Sequence, residues 1–361
     1  MAPVIHELIK QKLDFKICVT AQHREMLDQV LDFFEIVPDH DLDLMMPNQS
    51  LNKLSSKILI EIDRVLEEEL PEVVLVQGDT TSAMMVSLAA FHRGIKVGHL
   101  EAGLRTYNKA APFPEEINRQ LTARIADFHF APTIKAKINL NKENINEHIY
   151  LTGNTVVDAL NWAIVKMEVE PLNEEILKIK SLINPNKKMI LVTGHRRENF
   201  GDGVVSICKA LLELSDRKDV ELVYPVHLNP NVTGPVQELL GNQKNIHLVT
   251  PVSYPTMLWL IQNCSLIISD SGGIQEEAPT FKKPVLVTRE FSERMEGVEA
   301  GFSFLVGTDK NKIVTEAARL LNHPPDFKNT TNPYGDGKAA IKVVGALEKK
   351  IEVLRKAKSE K

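Results

Sequence analysis

"EVVLVQGDTTS" (72–82) decides the fold. Its apolar core is continuous rather than alternating, which suits a strand buried on both faces of a parallel sheet. It stops at a glycine, and a polar turn follows. Ten further short apolar runs are strand candidates, several of them continuous in the same way: "FKICVT" (15–20), "IKVGHL" (95–100), "FHFAP" (128–132), "HIYLTG" (148–153), "KMILVTG" (188–194), "VELVYPV" (220–226), "NIHLVTP" (245–251), "SLIISD" (265–270), "KPVLVT" (283–288) and "GFSFLV" (301–306). Helical patterns such as 50–69 and 308–322 separate them, so the chain reads as repeated βα units. A helical, strand-free stretch near 155–184 divides the strands into two sets. The expectation is an α/β protein of two doubly wound parallel-sheet domains, residues 1–155 and 156–337. A long helix over 338–361 would pack back on the first domain.

At 361 residues two domains are the natural division, and 43% apolar residues suffice for a core in each. A net charge of −5 gives no global basic field for nucleic acid or an anionic membrane, so any phosphate site must be local. Cys18, Cys208 and Cys264 are far apart and show no metal-ligand or disulfide spacing. No apolar run approaches the roughly 18 residues of a membrane span, and "MAPVIHELIKQK" (1–12) lacks the uninterrupted apolar core of a signal peptide. A cytoplasmic protein without a metal is expected.

Ligands of open α/β sheets sit at the carboxyl ends of strands, and four polar clusters fall there: "QGDTTS", "HLEAGLR", "TGHRREN" and "SDSGG". Ser271, Gly272 and Gly273 stand between a strand and a helix, where free amides and the helix dipole favour a phosphate. An ordinary serine cap with acids in the first turn explains the same residues. Glu276 and Glu277 lie too far along to reach a phosphate, but one of them is placed to accept from ribose hydroxyls. The nearest approach to a dinucleotide glycine motif, "GDGVVS" (201–206), has serine for its third glycine, and no P-loop is present. His195, Arg196 and Arg197 suit a leaving diphosphate, or form an exposed basic turn. His227 repeats the theme one strand later, where a lone histidine is often structural.

The stretch "HLEAGLRTYNKAAPFPEEINRQ" (99–120) gathers carboxylates and arginines around one loop. Pro114, Glu115 and Glu116 fit a helix start, and Glu115 with Arg119 an i,i+4 pair. The helix dipole accounts for Glu116. It does not account for Asp79 or Glu101, each at the end of a buried strand. Asp79, Glu101 and Glu115 therefore read as proton-transfer groups.

Taken together, "AQHREMLDQVL", "VQGDTTS", "HLEAGLRT", "PFPEEINRQL", "TGNTVVDAL", "TGHRREN", "SDSGGIQEEAP" and "EGVEAG" resemble, in order and over nearly the whole chain, the non-hydrolysing UDP-N-acetylglucosamine 2-epimerases of bacteria. The resemblance implies a GT-B fold with a central cleft, usually as a homodimer, with no nicotinamide and no obligatory metal. It implies reversible conversion of UDP-N-acetylglucosamine to UDP-N-acetylmannosamine by anti elimination of UDP through 2-acetamidoglucal and re-addition. The product would feed surface polysaccharide or teichoic-acid linkage. Position by position, Asp79, Glu101 and Glu115 match the family's acid/base carboxylates and His195 its histidine at the diphosphate. Ser271, Gly272, Gly273 and Glu277 match its UDP grip, with Arg119 and Arg196 as further substrate-binding cations. Gln22 and His23, with His227, are expected at an allosteric site for UDP-N-acetylglucosamine.

Two departures bear on this. "ERMEG" (293–297) has Met295 where the family has proline, so a less rigid loop is expected. The family's first strand and its "GTRPEAIK" turn normally precede "MAPVI", where this sequence starts. A chain lacking them is expected to be poorly stable and nearly inactive. A retaining glycosyltransferase of the same fold, an inactive sugar-nucleotide sensor and a hydrolysing epimerase are the competing readings.

Overall fold

The computed structural model describes residues 1–20, 24–44, 46 and 49–359. Contacts divide the chain into two units, Met1–Ala159 with Tyr334–Lys361, and Leu160–Pro333. The first division falls inside the helix Thr155–Val169, a turn later than the boundary expected at 155. Asp158, in that first turn, accepts from the amides of Ala339 (3.1 Å) and Ala340 (2.9 Å), which ties the turn to the C-terminal helix Ala339–Ser359.

In the first unit, β1 (Cys18–Val19) and β2 (His40–Asp41) form a parallel pair. β3 (Val73–Gln77), β4 (Lys96–Leu100), β5 (Phe128–Ala131) and β6 (Ile149–Leu151) form a separate parallel sheet in that order. The expected strand at 15–20 is thus only two residues long. β2 has no apolar run to announce it; the carbonyl of Ile17 draws it in by accepting from the amides of Asp39 and His40.

Helix Leu51–Glu69 begins where the Ser50 side chain accepts from the amide of Lys53. Its buried stripe Leu54, Ile58, Ile62 and Leu66 recurs every fourth residue and packs with Val76 and Val97 on one face of the sheet. The other face is covered by helices Ala2–Lys10 and Ala339–Ser359. Val4, Val343, Val344 and Leu347 pack there on Leu100, Phe128 and Phe130.

The second unit holds β7 (Lys188–Thr193), β8 (Val220–Pro225), β9 (Ile246–Val249), β10 (Leu266–Ser269), β11 (Val285–Val287) and β12 (Ser303–Leu305). All pair in parallel, in the order β12-β11-β10-β7-β8-β9. This is the doubly wound arrangement, and the order reverses between β7 and β10. The crevice beyond the carboxyl ends of those two strands is where such a sheet binds ligand. Among the described residues, no helix is long and apolar enough to cross a membrane.

Candidate active site

In the first unit, β3 and β4 deliver Asp79 and Glu101 to the same edge of the sheet. Their last residues, Gln77 and Leu100, are in register, and the amide of Gly78 donates to the carbonyl of Leu100 at 3.0 Å. Asp79 is held twice from the helix Glu115–Ile125. Arg119 Nη2 donates to its carboxylate at 2.5 Å, and Asn118 Nδ2 donates to its carbonyl at 3.0 Å. Arg119 was expected to touch substrate and to pair with Glu115. It is only 3% exposed and contacts Asp79 and, at 3.5 Å, Glu116. A cation fixed on Asp79 orients that carboxylate.

Glu101 leaves β4 with φ +63°, a left-handed backbone that costs a non-glycine residue energy and is common at functional sites. Its Oε1 accepts from Gln77 Nε2 at 2.6 Å. The turn beneath it is set by His99, fully buried on β4, whose Nε2 meets the carbonyl of Gly78 at 2.8 Å. Burial pushes the His99 pKa down to about 3, so the ring is neutral and donates from Nε2. Glu115 opens the helix, and its buried Oε2 has no hydrogen-bond partner among the described residues. An acceptor left unmade inside a folded unit calls for an explanation, and a ligand proton is the simplest.

Glu116 departs from expectation. It is completely buried, and its two oxygens accept from the amides of Thr106 and Tyr107, both at 3.0 Å, and from Gln120 at 2.8 Å. It anchors the loop after β4; the helix dipole is the lesser part of its role.

In the second unit, the switch point is organised by Asp270, which the sequence reading quoted within "SDSGG" but did not single out. Asp270 is 1% exposed. Its carboxylate accepts from the amides of His195 (3.0 Å to the nearer oxygen) and Arg196 (2.9 Å) and from Asn199 Nδ2 (3.2 Å), and lies 3.3 Å from His195 Nδ1. Desolvation lowers the His195 pKa while Asp270 works against that fall. Arg196 lies beside it, with a buried Nε that has no hydrogen-bond partner. His227, assigned from sequence to an allosteric site, stacks on His195 with ring centres 5.9 Å apart. Gln22 and His23 lie outside the described residues.

Beyond β10, Ser271 stands at the N-cap position of the short helix Gly272–Glu277, and its side chain makes no capping hydrogen bond. The two glycines serve different ends. A Cβ on Gly272 would fall 2.6 Å from the guanidinium of Arg294, whereas one on Gly273 meets nothing closer than 3.9 Å. Gly272 therefore makes room for Arg294, and the space at Gly273 is left open. Arg294 donates to Glu276 at 2.8 Å and also pairs with Glu293. These ion pairs hold the residue next to Met295, at the point where proline was expected to stiffen the chain. Glu277 is bonded to Tyr254, and burial raises its pKa to about 7.

A doubly wound unit with cationic side chains at its switch point, joined to a parallel α/β unit with carboxylates at its strand ends, defines a two-unit nucleotide-binding protein of GT-B type. Within that class the model of one family, UDP-N-acetylglucosamine 2-epimerase, matches residues 6–348. The chain belongs to this family. It is 50% identical to the UDP-N-acetylglucosamine 2-epimerase of Escherichia coli (strain K12) over 355 residues, covering 96% of this chain and 94% of the other. The crystal structure of UDP-GlcNAc 2-epimerase from Neisseria meningitidis bound to UDP-GlcNAc superposes with a TM-score of 0.93 at 46% identity, covering 97% and 96% of the two chains. The Methanocaldococcus jannaschii enzyme, in complex with UDP-GlcNAc and UDP, gives 0.85 at 34% identity, covering 96% and 95%.

Proposed function

We propose that this chain interconverts UDP-N-acetylglucosamine and UDP-N-acetylmannosamine by anti elimination and re-addition of UDP. The second unit holds the nucleotide. His195 and Arg196 meet the diphosphate, the open space at Gly273 beside Ser271 admits a phosphate, and Glu277 accepts from the ribose. The carboxylates of the first unit act on the sugar. One of Asp79, Glu101 and Glu115 removes the proton on C2 while the bond from C1 to the UDP oxygen breaks. The electron pair of the C–H bond becomes the C1–C2 double bond of 2-acetamidoglucal, and UDP leaves with the pair of the broken C–O bond. Return of a proton to the opposite face of C2 and of UDP to C1 gives the epimer. A proton must be exchanged on both faces, which asks for more than one carboxylate.

The observation that carries this reading is the gathering of Asp79, Glu101 and Glu115 at neighbouring strand and helix ends, with Glu115 Oε2 unpartnered among the described residues. The same reading includes a cytoplasmic homodimer needing neither nicotinamide nor metal, with an allosteric UDP-N-acetylglucosamine site at Gln22 and His23. His227 is assigned with His195 on account of their stacking.

Incubation with UDP-N-acetylglucosamine alone, followed by proton NMR, tests it. The same mixture of epimers should form from either one. An unchanged sugar would instead indicate a glycosyltransferase or a binding protein, and free N-acetylmannosamine equal to the UDP released would indicate a hydrolysing enzyme.

A further inference from the structure

We propose that Asp270 is the positioning residue for His195. It takes up the loop amides and the imidazole Nδ1, so that Nε2 alone remains for the leaving diphosphate. This rests on the epimerase reading for its consequence in catalysis but not for its geometry. A buried carboxylate at a diphosphate site is at first sight misplaced, because it repels the ligand and occupies backbone amides that would otherwise bind phosphate. Its contacts explain it. An ionised carboxylate has about four acceptor positions; Asp270 accepts from the amides of His195 and Arg196 and from Asn199 Nδ2, and its Oδ1 lies 3.3 Å from His195 Nδ1 as an ion pair. With those amides committed, charge on the diphosphate is met in this loop by side chains.

A neutral His195 whose Nδ1–H is given to Asp270 has a bare Nε2, which cannot donate to a phosphate oxygen. The ring must be the imidazolium to do so, and donation by an ion is the stronger kind. The charged and titratable groups around it are Asp270 at the exit of β10, Arg196 on its own loop, His227 beyond β8 and Arg289 beyond β11. Of these only Asp270 favours the cation. Replacing it by asparagine removes that support and also turns an amide donor toward donors, since asparagine has one acceptor oxygen where aspartate has two.

The test is kinetic, with a structural arm. Asp270→Asn should lower kcat roughly 10²-fold with the KM for UDP-N-acetylglucosamine within a few-fold. The fall of kcat on the alkaline side should move to lower pH. In a His195→Asn background the same change should cost little, because the residue it positions is gone. An equal loss in both backgrounds, with the alkaline limb unmoved, would show that Asp270 only braces the loop and would overturn the proposal. Should Asp270→Asn not fold, nitrogen-15 NMR of the wild-type histidines, with His195 assigned by its loss in His195→Asn, decides the matter. The proposal requires the neutral ring to carry its proton on Nδ1; a proton on Nε2 contradicts it. That reading needs no turnover, so an inactive enzyme would overturn the epimerase proposal while the tautomer still judged Asp270.

Discussion

Glu115 and Glu116 are neighbours with opposite fates. Glu115 keeps an oxygen that meets no donor among the described residues, whereas Glu116 is held by the Thr106 and Tyr107 amides and by Gln120. Glu115→Gln, Glu101→Gln and Asp79→Asn should each lower turnover by roughly 10²–10⁴-fold, the scale of acid/base catalysis. The two glutamate variants should melt near the wild type, whereas Asp79→Asn leaves the buried Arg119 guanidinium without its carboxylate and should melt lower. Glu116→Gln should behave differently. An amide nitrogen placed among the Thr106 and Tyr107 amides leaves a buried donor unmade, at a cost of about 1–3 kcal/mol, and thermal melting should show it. Equal melting points for Glu115→Gln and Glu116→Gln would refute the division of roles. The sequence could not show this. Spacing along the helix makes both residues first-turn acids, and the partners of Glu116 lie on a loop whose path is set by tertiary structure. Asp270 was hidden for a related reason. Its partners are some 75 positions away, and only strand order brings β7 beside β10.

Strands were legible where the apolar run is unbroken, whether buried throughout or, like β3, only partly buried. β8 is buried at every position, and β10 likewise. β2, two polar residues paired to a short partner, offers no such signal. Helices couple these elements in ways that can be measured. Asp158→Ala would orphan the amides of Ala339 and Ala340. It should cost roughly 1–3 kcal/mol and speed hydrogen exchange at the start of the helix Ala339–Ser359. Loss of the exposed, solvent-screened Arg355–Glu72 pair should leave the melting temperature nearly unchanged.

The short helix Gly272–Glu277 should give the protein a pH signature. Burial raises the Glu277 carboxyl from its ordinary 4.5 to about 7, so between those values the folded protein holds a proton that the unfolded chain has released. Stability from this group is full below the lower value and falls as pH rises to the upper one, by roughly 3 kcal/mol in all. Tyr254→Phe removes the hydrogen bond that favours the carboxylate and should extend the fall to higher pH. With Glu277 in its proposed role of accepting from a ribose hydroxyl, calorimetry should show UDP binding more tightly as pH rises through about 7. A UDP affinity with the same pH profile in Glu277→Gln would remove Glu277 from the ribose.

At the scale of the molecule, the proposed function assigns different roles to the two units. The second has the strand order, switch point and cations of a nucleotide grip; the first has the carboxylates. Family membership gives the reaction, and the structure supplies groups for a route with no carbonyl to acidify the C2 proton. That route makes one demand that an internal hydride transfer does not: the proton must leave the sugar and come back from the protein or the solvent. The direct measurement is turnover of UDP-N-acetylglucosamine in deuterated water, followed by NMR and mass spectrometry. Elimination and re-addition predict deuterium at C2 in the epimer formed and, as the reaction reverses, in the starting sugar as well. Epimerisation with the original proton fully retained at C2 would contradict the account.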